Sequence, residues 1–382
     1  MRSRVTTSLL ALAMIGTAIV SGAPHAVAVG GQTYRVQVDA MPPVGEPWAF
    51  LRFFPGPGLQ VHQGDGLSFE WAGTDTPHTA TLVPSAHPNA WRGTNQGPGG
   101  AYEDPIPDVA VGGDDPGLVE NPSVVFPSDP SCGGQGNPCS FTGSSVVSSG
   151  FQPSNPAAEP SFHVLVNAPV GTYSFLCLLH PGMQVRLRVV PQSTSIASPA
   201  QVDHRAARQV RRTTRIDGEA ADVQAQTVGT ANIGGGVTRF LVSAGGFSNG
   251  VTANEYPDNP IRVHVGDRVQ FHGTGEIHTA TVPAGAASRV PFTITECEVP
   301  GPDTPASSPF DCADPSQFRV ALNAKAVLPS ANIGLRQGHR RFVNTGLLAG
   351  PIRHTFLARQ PGTYTFVCLV HGPEMESTIV VK

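Results

Sequence analysis

Lysine is almost missing from this chain: of 24 basic side chains, only Lys325 and Lys382 are lysines. Charged residues make up 14% of the sequence and the formal balance is −4, so no broad basic face is available. Nucleic-acid binding as the main task is therefore disfavoured. Long apolar runs are also scarce, and beyond residue 28 no segment approaches the roughly 18 apolar residues of a membrane-spanning helix. Glycine (43) and proline (37), by contrast, are plentiful in the 382 residues. That mixture argues against helical bundles and coiled coils and suits short strands joined by long turns. The length fits two domains better than one.

Residues 1–28 read as a secretory signal peptide: Arg2 and Arg4 give a positive start, Leu9 to Val20 is apolar, and Ala26-Val27-Ala28 supplies a small-x-small cleavage pattern. The expectation is an exported protein with no transmembrane segment in its mature chain; an uncleaved N-terminal anchor is the alternative. Six cysteines in an exported protein should be paired or occupied. Each half carries a close pair followed by a single cysteine: Cys132 and Cys139 then Cys177, and Cys297 and Cys312 then Cys368. Two disulfides and two special thiolates account for all six, and three disulfides including Cys177–Cys368 are the alternative.

The chain repeats itself. Val61-His62-Gln63-Gly64-Asp65 through Pro77-His78-Thr79-Ala80-Thr81 recurs as Val263-His264-Val265-Gly266-Asp267 through Ile277-His278-Thr279-Ala280-Thr281. Gly171-Thr172-Tyr173 through Cys177-Leu178-Leu179-His180 recurs as Gly362-Thr363-Tyr364 through Cys368-Leu369-Val370-His371. Period-two alternation bounded by Gly-Asp and Pro-Gly turns predicts strands of an antiparallel sandwich, one sandwich per half. Domains 29–192 and 230–382 follow, joined at 193–229 by a polar, arginine-rich linker with a short helix; a docking patch for an acidic partner is its other reading. Long insertions, about 84–160 and 284–350, separate the two motif-bearing strands of each half, and each holds one close cysteine pair. Loops of that length are normally functional or need tying down.

Met1 and Met14 fall in the leader and Met41 lies early; the other two methionines, Met183 and Met375, directly follow the two Cys-x-x-His motifs. A thiolate, an imidazole and a thioether thus leave one strand together, and His78 or His278 upstream can add a second imidazole. Two His and one Cys with a weak axial Met form the donor set of a blue-copper electron-transfer site. The candidate ligands are His78, Cys177, His180 and Met183 in the first half, and His278, Cys368, His371 and Met375 in the second.

On these motifs both halves resemble the cupredoxins, the superfamily of plastocyanin, amicyanin and azurin. The resemblance implies all-β Greek-key sandwiches, one type 1 copper per domain, and one-electron traffic with redox partner proteins rather than catalysis. Cys-x-x-His-x-x-Met in the first half has amicyanin-like spacing, and the second half has one extra residue. Leu187 and Val189 match Ile379 and Val381, which favours Met375 over Glu374 or Glu376 as the axial group. Copper storage or delivery is the second reading. An oxidase or nitrite reductase is disfavoured, because no His-x-His pair occurs and Leu176 and Val367, not histidines, precede the two cysteines. His163 and His354 occupy equivalent places and read as structural strand residues, while His62 and His264, beside Gly-Asp turns, are expected to be exposed.

Overall fold

The structure is a computed structural model. It describes residues 31–72, 76–94, 110–111, 117–119, 122–152, 161–180, 182–282, 284–287, 290–297, 304–305, 312–313, 318–331, 333–336 and 342–382. The signal segment lies outside these residues.

Alternation builds the strands. Along Thr33–Val38, Tyr34, Val36 and Val38 are buried while Thr33 and Arg35 face out. This pattern needs a sheet with one packed face. In the first half one sheet runs Phe53–Phe54, Thr33–Val38, Gly66–Trp71, Ser161–Val166, Cys139–Phe141. The facing sheet runs Val147–Ser148, Thr81–Val83, Gly171–Leu176, Gln184–Val190, Gly58–His62. The second half repeats both: Val228–Asn232, Thr238–Ala244, Arg268–Gly273, Arg353–Ala358, Gly334–Leu335, and Ile261–Val263, Gly372–Val381, Gly362–Cys368, Thr281–Val282, Val343–Asn344.

Two β-sandwiches result; outside the segment between them the described helices are short: Pro88–Thr94, Pro122–Val125, Ala284–Ala287 and Ala324–Val327. The sheets are mixed, which corrects the expectation of purely antiparallel pairing. Thr33–Val38 runs parallel to Gly66–Trp71, and Gly58–His62 runs parallel to Gln184–Val190. The reason is connectivity: these neighbours in a sheet are joined by Greek-key crossovers rather than hairpins.

The repeated motifs have structural tasks. Asp65 accepts backbone N–H bonds from His62 (2.7 Å) and Gln32 (2.9 Å), and Asp267 accepts them from His264 (2.7 Å) and Thr238 (2.8 Å). Each Gly-Asp turn therefore ties a strand end to its neighbour. The Tyr173 hydroxyl donates to the Pro169 carbonyl at 3.0 Å and Tyr364 to Gln360 at 2.8 Å, each fixing the entry to its Gly-Thr-Tyr strand. Phe175 meets Phe69 edge to face at 5.2 Å, as Phe366 meets Phe271 at 5.1 Å, in two separate cores.

The segment between the sandwiches is far more helical than a short helix in a linker. Pro199–Thr213 and Glu219–Gln226 are α-helices joined by a π turn at Thr214–Gly218. Ser198 starts the first with a capping box, its side chain accepting from Gln201 N–H while the Gln201 side chain accepts from Ser198 N–H. Val202, Ala206, Ala221 and Ala225 are buried. Ala206, Ala221 and Ala225 join Trp48, Phe50, Val251 and Ala253 in one cluster drawn from both halves. Small residues at buried positions let a mostly polar helix pack closely. That signal was readable, but it is weaker than the run of arginines beside it.

Strand pairing also joins the halves. Trp48–Phe50 pairs antiparallel with Val251–Ala253. The insertions, for which the repeat offered no structure, pair with each other: Gly117–Val119 lies antiparallel to Phe318–Asn323. Cys132–Cys139 and Cys297–Cys312 are disulfide-bonded, while Cys177 and Cys368 are buried and take no part in a disulfide. The Cys297–Cys312 bridge packs with Phe126 of the first insertion. It closes a separation of 15 residues, for which chain entropy predicts about 3 kcal/mol. Replacing both cysteines with alanine should lower the thermal unfolding temperature, measured by calorimetry without reductant.

Candidate metal centres

Each candidate centre forms where a strand end meets a loop. His78 is held by reciprocal backbone bonds with Gln152 (2.7 and 2.9 Å), and His278 by the same pair of bonds with Leu348 (3.1 and 2.7 Å). The next residue is the clamp. Thr79 Oγ1 accepts from Leu178 N–H at 2.8 Å while Thr79 N–H donates to Cys177 Sγ at 3.4 Å. Thr279 does the same to Leu369 (2.8 Å) and Cys368 Sγ (3.4 Å). The repeated His-Thr pair thus locks the histidine strand to the cysteine loop.

The donor atoms converge. In the first half Cys177 Sγ lies 3.5 Å from His180 Nδ1 and 3.9 Å from His78 Nδ1, and the two Nδ1 atoms are 3.0 Å apart. In the second, Cys368 Sγ lies 3.5 Å from His371 Nδ1, and His278 Nδ1 is 3.2 Å from His371 Nδ1. The three candidate ligand atoms of each triad, one per residue, fall within 4.8 Å of one another. Met183 closes the first loop, its carbonyl accepting from Cys177 N–H (2.9 Å) and its N–H donating to the His180 carbonyl (3.0 Å). Met375 is fully buried in the same cluster as Cys368, next to Glu376, which pairs with Val367. Ile379 and Val381 pair with Tyr364 and Gly362 as Leu187 and Val189 pair with Tyr173 and Gly171, which puts Met375 in register with Met183.

Two nitrogen lone pairs facing each other beside a sulfur are a demand for a cation, either a proton or a metal ion. The charge balance agrees. Burial pushes the Cys177 thiol up, but the charge and hydrogen bond of His180, with help from His78, hold it well below its usual range. Burial likewise pushes the Cys368 thiol up, and His278 and His371 bring it well down. Burial lowers His180, yet the Cys177 thiolate and Glu276 drive it up to about 10. A deprotonated thiol is the form that binds metal. Thiolate with imidazole selects soft and borderline ions, copper among them. The triads fit such an ion.

In the first centre the outer ring nitrogens have partners that sequence reasoning missed. His78 Nε2 stands 3.2 Å from Asp39 Oδ2 with both side chains fully buried, and His180 Nε2 stands 3.6 Å from Glu276 Oε1, an ion pair across the two halves. Burial raises the Glu276 carboxyl, but His180, His371 and His278 together bring it down to about 2. Only long-range strand pairing creates these contacts; the one local hint was an acid two residues before His278. Among the described residues, the other histidines stay apart from the triads. His163 and His354 sit on strands, half-buried, with His163 Nε2 3.2 Å from Ser161 Oγ. His264 is exposed, with 83% of its side chain accessible, but His62 is covered, at 14%. The chain leaving Gln184–Val190 folds back over His62, and the Thr194 carbonyl sits 3.0 Å from its Nε2.

No protein-family model matches the chain, and no curated protein is similar to it. Among solved structures it is similar to dithionite-reduced auracyanin from the photosynthetic bacterium Roseiflexus castenholzii, at 17% identity and a TM-score of 0.23, covering 42% of this chain and 98% of that one. Auracyanin B is similar at 18% identity and a TM-score of 0.23, covering 42% and 89%. The Blue Copper Oxidase from Nitrosomonas europaea is similar at 12% identity and a TM-score of 0.19, covering 92% and 86%. At these scores it is the strand order and register given above that define the fold. Both halves are β-sandwiches, each with a His-Cys-His group suited to a soft or borderline metal ion.

Proposed function

We propose that this chain is an exported blue-copper protein that holds one type 1 copper in each half and carries single electrons between redox partner proteins. The observation that carries this reading is the double convergence of two Nδ1 atoms and one thiolate sulfur in a buried pocket. His78, Cys177 and His180, together with Met183, would hold the first ion; His278, Cys368 and His371, together with Met375, the second. Copper so bound supplies a one-electron couple whose two states tolerate the same soft and imidazole ligands. The protein keeps those ligands still. Thr79 and Thr279 fix the sulfur, the repeated backbone bonds fix the upstream histidine, and Leu176, Leu178 and Val367 exclude water. A full set of four protein donors leaves a substrate no position to occupy, which supports a carrier over an oxidase.

Metal content, visible spectrum and voltammetry of the purified protein test the reading. Two coppers per chain, an intense thiolate charge-transfer band and a reversible wave are expected. Copper that exchanges readily with a chelator and has no reversible wave would favour storage or delivery instead.

A further inference from the structure

The same triad stands in different surroundings in the two halves. Val38 pairs with Trp71 as Ala244 pairs with Gly273, so Asp39 and Gly245, the next residues, occupy equivalent places. Both are left-handed, at φ 64° and 70°. Asp39 gives His78 Nε2 a buried carboxylate at 3.2 Å. Gly245 has no side chain, and His278 Nε2, fully buried, has no hydrogen-bond partner among the described residues. The second ligand differs as well. Glu276 makes an ion pair with His180 Nε2 from the opposite half and acts on His371 only through its charge, while the equivalent residue of the first half, Thr76, brings no carboxylate. Glu276 is buried, and its other oxygen has no hydrogen-bond partner among the described residues.

A carboxylate on the outer nitrogen makes an imidazole a more basic ligand, and hydrogen bonding around the ligands is one of the levers that set a metal's reduction potential. More basic ligands favour the more highly charged ion. We propose that the two centres form an ordered relay: the first, backed by Asp39 and Glu276, gives the electron, the second, without such backing on His278, takes it, and Glu276 joins them. The proposal rests on the reading that both halves hold type 1 copper. Glu276 contacts His180 of one centre and stands two residues before His278 of the other. The route between the imidazoles is thus one ion-pair contact followed by main chain through Ile277. In the step one electron leaves the first centre, Cu(I) becoming Cu(II), and enters the second, Cu(II) becoming Cu(I). No proton moves and no bond breaks. A one-electron donor protein and a one-electron acceptor protein restore the starting state.

The test uses the full-length copper-loaded protein. Cys368→Ser leaves the first centre alone and Cys177→Ser the second, so redox titration of each variant through its own visible band gives the order of potentials. The first is expected to lie lower. Asp39→Asn should raise the first potential and leave the second in place, and Glu276→Gln should raise the first more than the second. A merely structural role for either residue would lower stability without moving a potential. After rapid one-electron reduction of the oxidised protein, the approach to equilibrium between the two bands should slow in Glu276→Ala. Coincident or reversed potentials, or transfer in Glu276→Ala at the parent rate, overturn the relay and leave the copper reading standing. Failure to take up copper overturns both.

Discussion

Cys177→Ser is expected to remove one of the two bound coppers and about half of the visible absorption, leaving the second centre's band unchanged. Serine keeps the size of the side chain but not its chemistry. Its hydroxyl does not ionise at neutral pH, its oxygen is a hard donor, and the sulfur-to-metal charge transfer that gives such a centre its colour disappears. The site should survive as structure. Thr79 N–H, which donates to Cys177 Sγ at 3.4 Å, has an oxygen to bond instead, so the loss of stability is limited to about 1–3 kcal/mol. The second ion should stay in place because Cys177 and Cys368 belong to separate cores and the two triads share no donor atom. Cys368→Ser should be the mirror result, and the double variant should be colourless. Copper analysis beside the optical spectrum decides the matter, and a Cys177→Ser protein with both bands intact would refute the ligand assignment.

The two converging His-Cys-His groups were legible because their residues are written locally. Cys-x-x-His lies within one loop, and the repeat marks His78 and His278 as the same residue met twice. Strands such as Thr33–Val38 declare themselves by alternation, and the Gly-Asp turns by their left-handed glycines, Gly64 and Gly266. What stayed hidden depends on distant pieces meeting. Asp39 reaches His78 only because its strand lies beside Gly66–Trp71, and no local pattern distinguishes that acid from a surface one. Pairing between the insertions at Gly117–Val119 and Phe318–Asn323 joins segments some 200 residues apart, in stretches whose composition reads as loop. The covering of His62 by Thr194 is of the same kind: a turn residue looks exposed until a later segment lies across it.

Gly245→Ala offers the most selective way to strike one centre and spare the other. A Cβ at Gly245 would lie 2.6 Å from His278 Nε2, 3.1 Å from its Cε1 and 2.8 Å from the Ala253 carbonyl oxygen. None of these can easily yield. The His278 backbone is pinned by two bonds to Leu348, and Ala253 lies in a strand paired with both Gly246 and Trp48. The imidazole must therefore tilt, which carries Nδ1 away from its place 3.2 Å from His371 Nδ1. Left-handed strain and overpacking together should cost about 2–4 kcal/mol. Copper affinity at the second centre should fall by about 10–100-fold, as when a residue supporting a metal ligand is changed, while the first centre keeps its ion. Gly350→Ala separates the causes: its φ is 51°, but nothing lies within 4 Å of a Cβ there, so it bears strain alone, about 1 kcal/mol, and should bind copper normally at both centres. The same crowding explains why the second half cannot carry the aspartate found at position 39. There the left-handed backbone is tolerated because Asp39 Oδ1 accepts from Ala40 and Phe50 N–H, and the ring of His78 stands far enough off to accept a carboxylate rather than collide with it. Competition for copper at each band, with calorimetry of both variants, tests this directly. Undiminished second-centre affinity in Gly245→Ala would mean that His278 is not fixed against this glycine, and the steric account of the unequal centres would fall.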